Sequence, residues 1–456
     1  MESSAGFISL CGIPTILSQH LPLWRARREY NDHSVPLGLY LSVPFCRTKC
    51  SYCNFASDVF SKSAYENYVA RVVEDVANAR ASATEAGGEF DERVDSIYLG
   101  GGTPSILEGA QLLRIFGALR DHFAIDAHAE ITVECAPGTL SDSLIETLLR
   151  AGVNRVSLGV QSFDDREAQS VGRLHKRSTV IEEIARLRQS GLPNINVDLI
   201  AGLPYQTEES WRRSLSELIA LDVPHASVYM LEVDEDSRLG SELIAGGTRY
   251  HAHFVPDDAA TADFYVRACE ALNAAGIEQY EISNFAKLGP ERDATSEPQV
   301  GGRGWQSRHN LKYWTRQPYL GFGVDAHSML AVVPSHLSAD RESIRIAMPD
   351  SLDAYMNRGP AALTPVSPHA ALEETFFLGL RLNRGIDLNR LRAEFTAEAA
   401  AFDPIVEDCL RDGLLERRDE NVRLTERGRL LSNEVFGRFL VEEKAADDIQ
   451  PAGVKK

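Results

Sequence analysis

Between Leu37 and about Met230, apolar residues gather in six short runs, "GLYLSV", "VDSIYL", "EITVE", "RVSLGV", "INVDLI" and "HASVYM". Runs of this length, rich in Val, Ile, Leu and Tyr, predict strands of a buried sheet. The stretches between them, such as "SAYENYVARVVEDVANARA" and "TEESWRRSLSELIALD", space their apolar residues as amphipathic helices do, and Thr207 opens the second with polar Ser210 three residues on. Strand followed by helix, six times over, predicts a parallel sheet that right-handed crossovers bend into a partial (β/α)6 TIM-like barrel. That is two units short of a closed eight-stranded barrel, so one side stays open.

The rest of the chain divides by pattern. Residues 1–36 carry no period and read as an N-terminal extension, and the barrel is assigned to 37–285. Ala286 to Arg308, "AKLGPERDATSEPQVGGRGWQSR", is rich in Gly, Pro and charge and predicts a mobile insertion. With the aromatic "HNLKYWTRQPYLGFGVDAHSML" beyond it, this forms a segment over 286–370. From about Ala371 a mainly helical pattern returns. "CLRDGLLERRDENVRLTERGRLLSNEVF" reads as helix, Gly-containing turn, β-pair and helix, a winged-helix-like domain over 371–445, with 446–456 as a tail. The fold class is therefore α/β: a partial barrel with a C-terminal, mainly helical, winged-helix-like domain.

Composition narrows the function. A chain of 456 residues, 44% hydrophobic and 25% charged, is in the globular range and long enough for two or three domains. A net charge of -19 opposes nucleic acid, so the winged helix reads as structural or docking and no nucleic-acid partner is expected. The N-terminus lacks a basic region, and its apolar run is broken by Gly12 and Pro14, which supports neither a signal peptide nor a membrane span. Seven unevenly placed cysteines do not make a secreted disulfide framework, so a reducing cytoplasm is expected.

Three of those cysteines, Cys46, Cys50 and Cys53, crowd into "PFCRTKCSYCNF" directly after the first strand run. Structural zinc usually takes four ligands as two separated pairs, and no second pair follows; Cys135, Cys269 and Cys409 are isolated. Three thiolates on one loop suit an iron–sulfur cluster with one iron left open for a small molecule. Other polar residues also follow strands: "GGGTPS" after the second, Glu134 ending the third, Gln161 after the fourth and Asp198 within the fifth. In parallel α/β sheets the carboxyl ends of the strands form the ligand mouth, so five elements are expected to converge there. Gly100 to Gly102 would let a ligand approach the backbone, and the buried acids favour a cationic or hydroxyl-bearing one.

"CxxxCxxC" after the first strand, with "GGGTP" after the second, resembles the radical S-adenosylmethionine (SAM) enzymes. "LYLSVPFC", "IYLGGGTPS", "VSLGVQSF", "VGRLH", "VDLIAGLPYQT" and "YEISNFAK" narrow the resemblance to the oxygen-independent coproporphyrinogen III oxidase-like group, from about Leu37 into the C-terminal helices. The resemblance implies a [4Fe–4S] cluster on Cys46, Cys50 and Cys53. It implies SAM contacts on Tyr40, Tyr52, Gly101, Gly102, Thr103, Glu134, Gln161, Arg173 and Asp198.

Two departures favour the heme chaperone branch of this group over the oxidases. Where the oxidases carry a further cysteine, two positions after the third, this chain has Phe55; the N-terminal elements that precede the oxidase barrel have no counterpart in residues 1–36. The branch's mark, "HNxxYW", stands here as His309, Asn310, Tyr313 and Trp314. An imidazole suits heme iron and aromatics suit the porphyrin face, which makes His309 the preferred heme ligand and His327 the second choice. The resemblance then implies heme as a third cofactor and heme acceptor proteins, respiratory ones among them, as partners. An electron donor such as flavodoxin or ferredoxin and transient membrane association belong to the same expectation. The competing expectation is an oxidase that decarboxylates two propionates of coproporphyrinogen III.

Overall fold

The computed structural model describes residues 35–289, 304–332 and 342–440. Nearly all of the expected N-terminal extension, most of the Ala286–Arg308 insertion and the 446–456 tail lie outside these residues. The six strand runs become β1 (Leu37–Val43), β2 (Arg93–Gly101), β3 (Ala124–Cys135), β4 (Arg155–Gln161), β5 (Ile195–Ala201) and β6 (His225–Met230). They pair in parallel in chain order. Helices between them cover one face. Lys62–Ala77 (α1) buries Tyr65, Tyr68, Val69, Val72 and Val76, and Gly109–His122 (α2) buries Leu112, Ile115, Phe116 and Leu119, the three-and-four spacing of an amphipathic helix.

The sheet reaches further than the six runs. Beyond β6 come Ile277–Gln279 (β7) and Asn284–Lys287 (β8), with β8 antiparallel to β6. On the other side, Tyr319–Phe322 (β9) lies parallel to β1, and His327–Val332 (β10), Ser343–Ala347 (β11) and Ala362–Val366 (β12) continue antiparallel. The region set apart by pattern as 286–370 thus extends the barrel sheet. The "YLGF" run is short and embedded in turn residues, which hid its pairing with β1 from a periodicity reading.

Strand alternation separates two faces. Leu37, Leu39, Leu41 and Val43 of β1 join the apolar core under the helices, while Gly38, Tyr40 and Ser42 face the other way. Parallel register carries this second face across the sheet. Gly38 pairs with Ser96 and Ser96 with Glu130; Tyr40 with Tyr98, Tyr98 with Thr132 and Thr132 with Arg155. The register also pairs Glu134 with Ser157, Ser157 with Asn196 and Asn196 with His225, which opens β6; Gly159 pairs with Asp198 and Asp198 with Ser227. The inner face of the barrel is therefore polar.

The short helix Arg308–Trp314 (α3) closes the amino-terminal half of that face. Ser307 caps it, accepting from the amide of Asn310 at 3.4 Å. Gly38 lets it come close, because a Cβ there would stand 2.7 Å from Cδ of Lys312 and 3.3 Å from Cε1 of His309. The C-terminal residues build a second apolar core around Phe376, which stacks on Phe402 and Phe439. Helix Pro368–Gly379, strand Ile386–Asp387, helices Leu388–Ala399 and Asp403–Arg411, and the hairpin Leu415–Arg418/Asn421–Leu424 follow one another, with the three strands in one small antiparallel sheet. That is the order of a winged helix. Arg316 and Arg345 both pair with Glu374, and Arg381 with Glu281, tying this unit to the barrel. Among the described residues no helix is long and apolar enough to cross a membrane.

Candidate cofactor site at the mouth of the barrel

The cysteine loop leaves β1 and is fixed by backbone hydrogen bonds. The amide of Cys46 donates to the Asp58 carbonyl at 3.0 Å, and that of Asp58 to Pro44 at 3.0 Å. Ser51 reaches across to Val171 at 3.2 Å, and Thr48 Oγ1 donates to the Gly172 carbonyl at 3.0 Å. The Gly-rich turn packs directly on this loop: the amides of Gly102 and Thr103 donate to the carbonyls of Val43 and Phe45, each at 2.8 Å. Gly101 has φ 100°, and a Cβ on Gly102 would lie 2.8 Å from the Phe45 carbonyl oxygen and 3.0 Å from Cys46 Sγ. Only glycine fits both requirements.

Cys46, Cys50 and Cys53 are free thiols. Thr103 Oγ1 donates to Cys46 Sγ at 3.6 Å, and Arg173 Nη1 to Cys50 Sγ at 3.6 Å. Burial pushes the Cys46 and Cys53 thiols above their ordinary value. Among the described residues no three His, Cys, Asp or Glu side chains converge on a single-ion position. A cluster makes a different demand, one thiolate per iron, and iron itself holds a thiol deprotonated. The donor set therefore fits a cluster better than mononuclear zinc.

The remaining sequence-predicted residues gather on the inner face beside this loop. Tyr98 donates to Glu134 Oε1 at 2.7 Å. Burial nevertheless pushes the Glu134 carboxyl up to about 7, with the Tyr98 hydrogen bond opposing and the Asp198 charge adding. Asp198 accepts from Ser157 Oγ at 3.1 Å and from Asn196 Nδ2 at 2.7 Å, and burial raises it too. Gln161 ends β4 with φ 70°, and its buried Oε1 has no hydrogen-bond partner among the described residues. A buried acceptor without a donor is costly, so this oxygen is open to a donor from a ligand. Arg173 also donates to the Gly159 carbonyl, which fixes its guanidinium over the loop. Tyr52 packs on Val171, Ile200 and Leu203. Tyr98, Arg155 and Ser157 are neighbours that motif reading passed over; the period-two face of their strands is the signal that would have found them.

His309 lies elsewhere. Its imidazole is wholly buried, 0% exposed, with Nδ1 3.1 Å from Ser96 Oγ and Nε2 2.8 Å from Tyr313 OH. Its ring stacks with those of Tyr40 and Tyr98, and burial lowers its pKa to about 3. Both nitrogens are engaged inside the protein, where the side chain supports Tyr40 and Tyr313. His327 is 58% exposed and lines a cavity of about 310 Å³ with Tyr40, Phe55, Tyr313, Tyr319 and Asp325.

Comparison with known proteins agrees with this architecture. Residues 40–218 match the radical SAM superfamily, and residues 366–431 match the HemN C-terminal domain. The solved coproporphyrinogen III oxidase (HemN) from Escherichia coli shares the fold, with a TM-score of 0.72 at 23% identity over 89% of this chain and 90% of that one. The fold and the three-cysteine mouth thus define a radical SAM protein, a class whose cofactors are a [4Fe–4S] cluster and SAM. The heme chaperone HemW of Bacillus subtilis is 32% identical over 88% of this chain and 99% of its own length, and HemW of Escherichia coli 30% identical over 89% and 99%. The chain belongs to the HemW heme chaperone family. A bovine relative, radical S-adenosyl methionine domain-containing protein 1, mitochondrial, is 31% identical over 76% of this chain and 74% of its own.

Proposed function

We propose that the protein is a heme chaperone, which binds heme beside a SAM-liganded cluster and hands it to acceptor proteins. One observation carries the reading. The cavity beside the cysteine loop is walled by Phe55, Ala56 and Ser57 from that loop and by Tyr313 and Tyr319 from the "HNxxYW" segment and β9. Phe55 is 61% exposed, an apolar face at the cluster's edge where an oxidase would carry a cysteine. Exposed aromatic surface in a concavity suits a flat apolar ligand.

In this reading Cys46, Cys50 and Cys53 would hold the cluster, whose reduction, with SAM bound, supplies one-electron chemistry. Gly101, Gly102 and Thr103 would present backbone to SAM. Glu134, Gln161 and Asp198 would accept from its ammonium and hydroxyl groups, Gln161 through its orphaned oxygen. Tyr40, Tyr52 and Arg173 would wall and orient it. Proteins that accept heme and a one-electron donor of the flavodoxin or ferredoxin kind complete the set of partners, and the cytoplasm is the compartment this reading expects.

Fold likeness to the oxidase keeps propionate decarboxylation as a second reading. The test is turnover: anaerobic, reduced, cluster-loaded protein given SAM and coproporphyrinogen III is expected to form no protoporphyrinogen IX while it binds hemin saturably. Appreciable protoporphyrinogen IX would overturn the chaperone assignment.

A further inference from the structure

Beside the cysteines one buried hydroxyl lacks a partner. Ser57 is 5% exposed, and its Oγ makes no hydrogen bond among the described residues. A hydroxyl has one hydrogen to donate, and burying it unpaired is costly. Its place on the loop is fixed: the Ser57 amide donates to the Phe55 carbonyl at 2.7 Å, and the next residue, Asp58, is tied to both Pro44 and Cys46. Ser57 is thereby held against the start of the loop. The sulfurs feel it, because burial raises the Cys46 and Cys53 thiols and the Ser57 hydroxyl opposes that rise in both. We infer that Ser57 donates its hydroxyl hydrogen to the thiolates of Cys46 and Cys53 in the loaded protein and so sets how readily the cluster takes up an electron. The inference rests on the reading in which Cys46, Cys50 and Cys53 hold that cluster.

The other donors to the sulfurs have second duties. Thr103 Oγ1 reaches Cys46 Sγ and Arg173 Nη1 reaches Cys50 Sγ, each at 3.6 Å, while the Phe55 amide serves Cys53. Thr103 and Arg173 also stand among the residues proposed for SAM, Arg173 donates to the Gly159 carbonyl as well, and the Phe55 amide is main chain that no substitution removes. Ser57 is free of these ties. Its Oγ is out of reach of bulk water, which would otherwise be the competing acceptor. An electron added to an iron–sulfur cluster spreads negative charge onto its sulfurs, so a donor aimed at them stabilises the reduced form more than the oxidised one. Burial strengthens that preference, since little solvent is present to screen it. Ser57 therefore acts as a positioning residue, through the cysteines and not on the iron.

The test is an anaerobic redox titration of the full, cluster-loaded chain free of SAM, followed by electron paramagnetic resonance of the reduced cluster, with iron counted per chain in the same samples. Ser57→Ala is expected to keep about four irons and to take up the electron less readily. Its reduction equilibrium should fall by up to about tenfold, a move of about 59 mV to more negative potential for a one-electron couple. Ser57→Thr keeps a hydroxyl on the same backbone and should return most of that shift. A Thr variant displaced as far as the Ala variant would overturn the inference, because the effect would then come from packing. In the wild type, exchange into heavy water should remove a proton coupling of the reduced cluster seen by electron–nuclear double resonance, and that coupling should be missing from Ser57→Ala; its persistence there would also overturn the inference. An unchanged potential in Ser57→Ala with its irons retained would do the same while leaving the cluster reading standing. A wild-type chain that takes up no cluster would sink both.

Discussion

The mouth and the floor of the same barrel treat polar groups in opposite ways. On the floor the two basic side chains of α3 that face the barrel have partners: His309 is bonded at both nitrogens, its amide donates to Glu130 at 3.2 Å, and Lys312 pairs with Asp95 at 2.8 Å. His225 joins Asn196 at 2.6 Å and Tyr280 at 2.9 Å. At the mouth the balance is left unfinished. Gln161 Oε1 lacks a donor among the described residues, and burial raises Glu134, Asp198 and the Cys46 and Cys53 thiols. Both ends are built from similar residue types on the same strands, so residue type alone does not separate a structural imidazole or acid from a ligand-binding one. The state of their hydrogen bonds does set Gln161, orphaned among the described residues, apart from His309, bonded at both nitrogens.

The largest expected effect falls on the mouth. Cys50→Ser removes one of three cluster ligands, and anaerobic reconstitution followed by iron assay should drop from about four irons per chain to nearly none. A full complement in the variant would break the distinction, since Cys50 would then be no more than a buried residue. The floor should respond with stability instead. His309→Ala deletes two hydrogen bonds and a stacked ring, leaving Ser96 and Tyr313 without their partner. A loss of about 3 kcal/mol in denaturant unfolding is expected, with the hemin spectrum retained below the transition. Loss of the spectrum with unchanged stability would put His309 among the ligands after all.

The smallest effect is a pH dependence at the mouth. Glu134 titrates near its ordinary value of 4.5 when unfolded and at about 7 when folded. The folded chain then holds this proton more tightly than the unfolded one, so the contribution is fully present below pH 4.5 and fades as the pH rises through about 7. In protein freed of cluster and SAM, the melting temperature should fall across that window, and Glu134→Gln should flatten this part of the profile. An identical slope in the variant would show that another group carries it.

How far the sequence reaches depends on the range of the signal. Alternation and helical spacing along "GLYLSV" and its five companions specify strands and helices locally, and the short right-handed crossovers leave few topologies for them. The cysteine spacing and the glycines of "GGGTP" likewise write their chemistry into a few adjacent residues. Three thiolates on one loop, and glycines that let a ligand reach the backbone, are legible without coordinates, whereas the packing of Gly102 against Cys46 is not. The pairing of "YLGF" with β1 is not local: it joins residues about 280 positions apart and depends on α3 settling over Gly38. The two histidines show the limit most plainly. His309 and His327 sit in one aromatic-rich segment with comparable sequence neighbourhoods, and motif reading put the first ahead. Tertiary packing turned His309 inward onto Ser96 and Tyr313 and left His327 at the cavity's lip, because which polar atoms find partners is settled by strands that meet only in three dimensions.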